Sequence, residues 1–373
     1  MNEIRQFAHA MLREIYEQPA ALQETIARYV KDGRLRPEVF GPARNLLREH
    51  KDIVIAASGS SRHAGLAAEI WLEDFAGLSV DVEYASEYIC RSTNTKRNPA
   101  VVVISQSGET ADTLAALREA VRRGHPTLAI TNVAHSKMVQ EASVSLPTWA
   151  GVERAIPATK SFTAQLTVAY LLALYAAEVR ETMPAEEIAA RVRSLEELPA
   201  LIEVQLGAWE IAAEKLAAKY ADAETFLYLG RGIHYAIARE GALKLKESSY
   251  VHAEGYPTGE LKHGPNALVS EETPLIVLAT VDADDAESVL RYEKTVQLLE
   301  DMQRQRARVL AICNDGDIRI AALADVIQVQ PVGEYLLPIE EVVPLQMFSY
   351  FIAVRHGVDV DRPRNLVKAV VTE

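Results

Sequence analysis

Acid–base side chains are concentrated in one short segment of the chain, between Arg239 and Leu268. The segment opens with a helical pattern and continues into a loop that contains Gly and Pro. Such a mixture suits a reaction that moves protons beside a carbonyl group, because an acid, a base and a cation must converge there. The side chains concerned are those of Lys244, Glu247, His252, Glu254, Glu260, Lys262 and His263.

A hydroxyl-rich segment, Ser105–Thr110, follows the β-branched run Val101–Ile104 and precedes a helix predicted from about Asp112. The N–H groups at the start of a helix have no partner within the helix, and the helix dipole favours negative charge there. The segment is therefore predicted to bind an anion, although Ser and Thr are also ordinary N-cap residues.

A second turn of this kind, Gly59-Ser60-Ser61, follows the apolar strand predicted over Val54–Ala57. Ligands of doubly wound folds bind at the carboxyl ends of the strands, so two hydroxyl-rich turns at such ends favour phosphate binding. The sequence contains neither a Walker-type phosphate loop nor a G-x-G-x-x-G dinucleotide fingerprint.

An internal repeat predicts the elements that position these residues. Aligning Gly59 with Gly230 without gaps pairs identical residues along the following helix, and Leu128–Asn132 is similar to Leu310–Asn314. We predict an α/β fold of two tandem doubly wound domains, each a mostly parallel sheet flanked by helices, plus a C-terminal tail. The identical pairs are His63 with His234, Ala67 with Ala238, Glu69 with Glu240 and Leu72 with Leu243.

The domain boundaries are predicted less sharply than the elements. Residues 160–220 are expected to be mostly helical, with breaks at Pro184 and Pro199. We predict an N-terminal helix and first domain over residues 1–205, and a second domain over residues 206–356. Residues 357–373 contain two prolines and a strand-like end, and are expected to form a tail that lies on the body of the protein.

The composition argues against several classes of function. A net charge of −13 disfavours nucleic acid or an anionic membrane as the main partner. Cys90 and Cys313 form no C-x-x-C pair, so neither a disulfide framework nor a zinc site is indicated. The N-terminus has no apolar targeting segment, no later run is expected to span a membrane, and the expected location is the cytoplasm.

These segments together resemble the sugar isomerase (SIS) superfamily. More narrowly, the chain is similar to the isomerase half of the glutamine:fructose-6-phosphate amidotransferases, and the similarity covers essentially its whole length. The block at Glu240–Pro265, combined with the tail, is the most specific part. The motifs are EIYEQP at Glu14–Pro19, SQSGETADTLAAL at Ser105–Leu117, ATKSFTAQL at Ala158–Leu166, EGALKLKESSYVHAEGYPTGELKHGP at Glu240–Pro265 and DRPRNLVKAVVTE at the end of the tail.

The resemblance implies binding residues for a sugar phosphate. Ile156 and Val367 would contribute to the substrate site. No metal or organic cofactor would be required, because the sugar carbonyl and a lysine supply the electrophile. The phosphate would be held by residues of the two hydroxyl-rich turns, namely Gly59, Ser60, Ser61, Ser105, Gln106, Ser107 and Thr110.

The resemblance also implies catalytic roles. Glu247 would move a proton between C1 and C2 of the sugar, with Lys244 beside it. His263 would open the sugar ring, reaching in from the other subunit of a homodimer, and Lys368 would form an imine with the keto sugar. A carboxylate suits proton abstraction next to a carbonyl, and a lysine amine suits imine formation. Individually, Lys244 and Glu247 could form an ordinary ion pair, His263 a loop contact, and Lys368 an exposed charge.

The expected activity is that of a glucosamine-6-phosphate deaminase, which releases fructose 6-phosphate and ammonia. Relatives that use glutamine need a glutaminase domain with an N-terminal cysteine, and the first cysteine here is Cys90. The alternatives are a synthase subunit supplied with ammonia by a separate glutaminase, a fructosamine-6-phosphate deglycase, and a sugar-phosphate sensor without turnover. The absence of a basic DNA-binding segment disfavours the sensor.

Three departures from the usual family pattern leave the exact substrate open. Ala158 stands where a serine is usual, which removes one hydroxyl near the sugar. Asn266 replaces an aliphatic residue, and Arg62 stands where an aromatic residue is common. These changes could adapt the pocket to another epimer or to a larger amine substituent.

Overall fold

The computed structural model describes residues 5–91 and 97–371. Within these residues the chain forms two compact units, each assembled from separate stretches of sequence. Unit 1 draws on Met1–Pro19, Glu153–Thr159 and Ala200–Lys368, and unit 2 on Ala20–Val152, Lys160–Pro199 and Ala369–Glu373. The domain boundary expected near residue 205 stays a prediction.

The strands of the two units alternate with helices along the chain. The strands are β1 (Val30–Lys31), β2 (Arg34–Leu35), β3 (Asp52–Ala57), β4 (Ser79–Tyr84), β5 (Ala100–Ser105), β6 (Thr127–Thr131), β7 (Val144–Pro147), β8 (Thr225–Gly230), β9 (His252–Pro257), β10 (Leu275–Leu278), β11 (Val309–Asn314) and β12 (Asp325–Val329).

The α-helices include three short ones before the first long strand. They are α1 (Ala10–Tyr16), α2 (Gln18–Tyr29), α3 (Pro37–Phe40), α4 (Arg44–Glu49), α5 (Gly59–Ala76), α6 (Ala85–Cys90), α7 (Ala111–Arg122), α8 (Lys137–Glu141), α9 (Lys160–Arg180), α10 (Ala185–Tyr220), α11 (His234–Ser249), α12 (Ala286–Arg304), α13 (Ile318–Ala321) and α14 (Leu337–Arg355). Short 3₁₀ helices span Gly41–Ala43, Thr258–His263 and Pro265–Leu268.

The main sheet of unit 2 has five parallel strands in the order β4-β3-β5-β6-β7. Its central strands are buried β-branched runs, as expected of a sheet covered by helices on both faces. Helices α6 and α7 pack over one apolar cluster of this sheet, and α5 packs against α9.

The sheet of unit 1 repeats this arrangement, with five parallel strands in the order β12-β11-β10-β8-β9. Helix α12 covers one side through an apolar cluster with β8, β10 and β11, while α11 packs against α14. In each sheet the first strand lies between the second and the third, so the predicted fold class and repeated layout are confirmed.

Three local expectations are corrected. Pro199 does not end a helix but lies inside α10. Gly59, Ser60 and Ser61 form the first turn of α5 rather than a loop before it. Within the part of the tail that the structure describes, residues 357–371 contain neither a helix nor the expected strand-like end.

Helices α9 and α14 are each long and apolar enough to span a membrane by length and composition alone. In each helix, however, 94% of the apolar window is buried inside the structure, as in core helices of globular units. The cytoplasmic location stays a prediction.

Candidate active site

The hydroxyl-rich turn of unit 2 connects the end of β5 to α7 and is organised by its own side chains. Ser105 Oγ accepts a hydrogen bond from the backbone N–H of Gly108 at 3.1 Å and lies 3.0 Å from Thr110 Oγ1. Ser107 Oγ accepts from the N–H of Glu109 at 3.1 Å. The hydroxyl groups of Ser105, Ser107 and Thr110, which are expected to bind phosphate, therefore lie within one turn held by internal hydrogen bonds.

Gly108 gives this turn its shape. Its φ of +65° lies in the left-handed region, and a Cβ atom there would lie 2.1 Å from Ser136 Oγ and 2.8 Å from Thr131 Oγ1. The backbone is fixed on both sides, because Gly108 accepts from the N–H of Met138 at 3.2 Å and Gln106 accepts from that of Asn132 at 3.1 Å. Only glycine fits this position without movement of its neighbours.

The first turn of α5 lies beside this turn at the carboxyl edge of the same sheet, since β3 and β5 are parallel neighbours. Neither Ser58 at the start of α5 nor Thr110 at the start of α7 makes a side-chain cap hydrogen bond. At α7 the N–H of Ala111 donates to the Val370 carbonyl at 2.8 Å. The edge thus offers hydroxyl groups and helix-terminal N–H groups, which are the usual partners of a phosphate.

The acid–base residues of unit 1 lie on α11. Lys244 is buried, and its Nζ donates to Glu247 Oε2 and lies 3.5 Å from Glu240 Oε1. The Glu240 side chain is fully buried, whereas 22% of the Glu247 side chain is exposed. This is therefore not an ordinary solvated ion pair on a helix face.

The charge of Lys244 is maintained by its carboxylate neighbours. Burial by itself lowers the pKa of a lysine, but Glu247, Glu240 and Glu153 outweigh it and raise the pKa of Lys244 above its ordinary value. Lys244 consequently stays cationic near neutral pH. Lys244 thus gives Glu247 a fixed charged partner. Because Glu153 also acts on Lys244, α11 is coupled electrostatically to the irregular segment that contains Glu153.

Lys368 ends the part of the tail that belongs to unit 1. Its Nζ donates to Glu153 Oε2 at 2.5 Å and to the Ala155 carbonyl at 2.7 Å, and 26% of its side chain is exposed. Glu153 is buried and also accepts from the N–H of Thr159 at 2.9 Å. Lys368 is therefore a positioned amine rather than a free surface charge.

A second buried carboxylate, that of Glu14, holds the backbone beside Glu153 in place. Glu14 accepts from the N–H groups of Arg154 and Ala155, at 2.6 Å and 3.2 Å. Burial, with a further contribution from the charge of Glu153, raises the pKa of Glu14 above its ordinary value. The segment around Lys368 is thus held by backbone hydrogen bonds to two carboxylates.

The tail itself is anchored at three places in unit 1. Asp361 accepts from the N–H groups of Ala10 and Met11 at 2.8 Å, and its carbonyl accepts from the Ile156 N–H at 3.0 Å. The N–H of Arg364 donates to the Tyr250 hydroxyl at 2.7 Å, just after the end of α11. These contacts fix the course of the chain towards Lys368.

The remaining candidate residues of unit 1 are less constrained. His263 is exposed at the end of a 3₁₀ helix, and 62% of Val367 is exposed. Lys262 pairs with Asp301 at 2.8 Å on the surface, in a contact that has no relation to the α11 cluster. The structure brings Lys244 and Glu247 together and holds Lys368 on Glu153, while His263 is exposed.

Sequence reasoning missed Glu153 and the partners of His234. Glu153 is a single acidic residue in an irregular segment, and its contact with Lys368 joins positions 215 residues apart. His234 was noted only as a match within the repeat. In the structure it lies between Glu341 and Glu334, about a hundred residues further along the chain.

The fold and these polar clusters define a tandem doubly wound α/β protein with polar residues at the carboxyl ends of its strands. Two segments, residues 46–175 and 219–354, match the SIS domain family, and the chain belongs to that family.

Named relatives support the similarity to the isomerase half of the amidotransferases. The chain is 42% identical to the isomerizing glutamine–fructose-6-phosphate aminotransferase of Chlorobaculum tepidum, over 98% of its own length and 59% of that protein. It is 43% identical to the Aquifex aeolicus protein of the same name, over 98% of its length and 58% of that protein. The chain therefore spans about three fifths of the length of these relatives.

Solved structures lead to the same conclusion. The C-terminal domain of glucosamine-fructose-6-phosphate aminotransferase from Francisella tularensis superposes with a TM-score of 0.89 at 34% identity, over 95% of this chain and 99% of that one. A glucosamine-6-phosphate deaminase from Thermotoga maritima has a TM-score of 0.74 over 97% and 100%, and at 23% identity this likeness concerns the fold. The chain is homologous to the isomerase half of the aminotransferases.

Proposed function

We propose that this chain is an enzyme that converts glucosamine 6-phosphate and water to fructose 6-phosphate and ammonia. The observation that carries the proposal is the buried Lys244, which holds the partly exposed carboxylate of Glu247. A carboxylate placed in this way suits proton transfer between adjacent carbons of an open-chain sugar. The homology to the isomerase half of the aminotransferases supports the same chemistry.

The proton transfer is assigned to Glu247. In the open-chain amino sugar, Glu247 takes the proton from C2 and returns it to C1, while one N–H proton passes to O1. The aldehyde at C1 becomes an alcohol, and C2 becomes an imine, so that atoms and charge balance. Lys244, whose pKa its carboxylate neighbours raise, keeps a positive charge beside Glu247 throughout.

The release of ammonia is assigned to Lys368. Its amine attacks C2 of the sugar imine and expels ammonia, and water then hydrolyses the lysine imine to give fructose 6-phosphate. The attacking amine must first lose a proton. Glu153 Oε2, at 2.5 Å from Nζ, is the carboxylate in reach that can accept this proton.

Phosphate binding is assigned to the two turns of unit 2. Ser105, Ser107 and Thr110 supply hydroxyl groups, and the N-termini of α5 and α7 supply backbone N–H groups. Gln106 and the first-turn residues Gly59, Ser60 and Ser61 complete the set. A site built from neutral donors and helix ends suits a chain whose net charge is −13.

The proposed reaction releases free ammonia, and neither Cys90 nor Cys313 is assigned a role in it. The two cysteines of the chain are Cys90, which is exposed at the end of α6, and Cys313, whose pKa burial raises to about 12. A thiol with so high a pKa is a poor nucleophile at neutral pH. The second candidate function is an isomerase subunit that makes glucosamine 6-phosphate with ammonia from a separate glutaminase, which the names of the relatives favour.

Ring opening is assigned to His263 of a partner subunit in a homodimer. The exposure of His263 is consistent with a role outside its own subunit. Mixing inactive His263→Ala and Glu247→Gln chains should restore part of the activity, because a mixed dimer contains one intact site. Absence of recovery in mixed dimers that form normally would assign His263 to its own chain.

The test of the proposed function is an assay of the purified chain with glucosamine 6-phosphate alone. Release of ammonia and fructose 6-phosphate in equal amounts is the expected result. No release, together with glucosamine 6-phosphate formation from fructose 6-phosphate and ammonium, would favour the synthase subunit. Inactivity in both directions, with activity on a fructosamine 6-phosphate, would replace both candidates by a deglycase.

A further inference from the structure

A single carboxylate in unit 1, that of Glu334, lies in a cradle of donors from three side chains. Arg291 approaches it with Nε at 2.9 Å and Nη2 at 2.7 Å, Ser288 donates Oγ–H at 2.6 Å, and His234 Nε2 lies 3.0 Å away. This set of four contacts includes a bidentate guanidinium and resembles the way in which proteins bind free oxyanions.

The three donor side chains of the cradle are buried. His234 is fully buried, and its Nδ1 lies 2.7 Å from Glu341 Oε2, so both ring nitrogens face carboxylates. Burial lowers the pKa of His234, but Glu341 and Glu334 outweigh it and raise the pKa above its ordinary value. Only 7% of Arg291 is exposed, and among the described residues its Nη1 has no hydrogen-bond partner.

The position of the cradle in its sheet corresponds to that of the hydroxyl-rich turn in unit 2. Ser288 and Arg291 lie in the first turns of α12, which follows β10, and His234 begins α11, which follows β8. In unit 2 the corresponding strands are β3 and β5, and they lead into α5 and α7. Each sheet therefore places donors at the same edge, where ligands of doubly wound folds bind.

We propose that His234, Ser288 and Arg291 form a second oxyanion-binding site, whose ligand in this chain is the carboxylate of Glu334. Removing that carboxylate frees the site for inorganic phosphate. Glu334 is tethered close to the cradle, since its N–H donates to Asp282 Oδ2 at 3.1 Å, and a tethered ligand excludes a free one at ordinary concentrations. If unit 2 binds the sugar phosphate, as the proposed function states, the intact chain then binds phosphate groups in only one of its two sheets.

The experiment compares Glu334→Ala with Glu334→Gln in the full chain, by thermal unfolding in phosphate and in chloride at equal ionic strength. The Ala variant leaves the cradle empty, whereas the Gln side chain fills the same space without the charge. The unit 2 turns are identical in the two variants, so their contribution cancels. We expect phosphate to raise the melting temperature of Glu334→Ala by about 3 °C or more beyond its effect on Glu334→Gln.

Equal phosphate shifts in the two variants would overturn the proposal. If Glu334→Ala is unfolded in chloride, the proposal predicts that phosphate restores the circular dichroism spectrum of the folded protein. Failure of phosphate to restore that spectrum would also overturn the proposal. Glu334→Asp, which retracts the carboxylate by one methylene, should give a smaller phosphate shift than Glu334→Ala. The readout is stability rather than turnover, so the outcome does not depend on the proposed enzymatic function.

Discussion

The carboxyl edges of the two sheets differ although their strand orders are the same. In unit 2 the edge consists mainly of hydroxyl and N–H groups shaped by a glycine, and an ion pair there, Glu109 with Lys137, is exposed to solvent. In unit 1 the same edge is filled by a buried network of Glu334, Glu341, His234 and Arg291. The two copies of a repeated fold can thus carry very different polar groups at the same edge.

The difference follows from electrostatics. A buried charge is tolerated only when it is paired and hydrogen-bonded, so the unit 1 edge needs all of its partners at once. The polar groups of the unit 2 turn are instead satisfied by hydroxyl and backbone groups, as in the pairing of Ser105 with Thr110 and of the Ala111 N–H with the Val370 carbonyl. Charged side chains should therefore dominate the stability of unit 1, and backbone shape the properties of the unit 2 turn.

The largest effect is expected at the buried cation of unit 1. Lys244→Met would leave the carboxylates of Glu240 and Glu247 without their charged partner, at a cost of about 3–5 kcal/mol in the free energy of unfolding. Urea unfolding of the purified variant measures this cost. Lys246→Met, an exposed position on the same helix, is the matched control and should change stability by less than ~0.5 kcal/mol. A similar small loss in Lys244→Met would contradict the importance of the charge network.

A smaller effect is expected from the backbone of the unit 2 turn. In Gly108→Ala the new Cβ would clash with Ser136, so we expect a loss of about 2 kcal/mol and at least tenfold weaker phosphate binding. In Gly124→Ala the φ of +79° is also strained, but nothing lies within 4 Å, so about 1 kcal/mol should be lost and binding kept. Phosphate titrations of both variants check this difference, and equal affinities would refute it.

The third expected effect is a pH dependence from unit 1, which vanishes at low pH. Burial raises the pKa of Glu340 to about 7, so the folded state binds a proton more tightly than the unfolded state, whose value is near 4.5. Between these values the folded state holds more protons, and stability should therefore fall as pH rises, by at most about 3 kcal/mol. The loss is complete above pH 7 and absent below pH 4.5.

Urea unfolding between pH 4.5 and 7.5 measures this slope. Glu340→Gln should flatten it, because the amide keeps an acceptor for Gln205 and cannot ionise. Glu203→Gln, an exposed position on α10, controls for the loss of one charge. An unchanged slope in Glu340→Gln would assign the pH dependence to other groups.

Local patterns were sufficient to predict much of the fold. The β-branched run before Ser105 and the hydroxyl-rich turn after it predicted β5 and α7, because both signals act over a few residues. Pro199 was predicted to break a helix, but apolar residues at helical spacing continue on both sides of it. Leu195, Leu198 and Ile202 are fully buried there, and their burial outweighs the cost of the proline.

The site was only partly predictable for the opposite reason. Lys244 and Glu247 lie three positions apart on one helix, so sequence spacing alone brings them together. Glu153 meets Lys368, and Glu334 meets His234, through contacts between distant parts of the chain. No local pattern records such pairings, because the course of the whole chain determines them.

The central claim, that Glu247 transfers the proton, can be tested without knowing the direction of the reaction. The chain is incubated with fructose 6-phosphate in heavy water, and proton NMR follows exchange of the C1 hydrogens. The intact chain should exchange one of them, and Glu247→Gln should be slower by about 10²–10⁴-fold with phosphate binding unchanged. Exchange by Glu247→Gln at the rate of the intact chain would contradict the account.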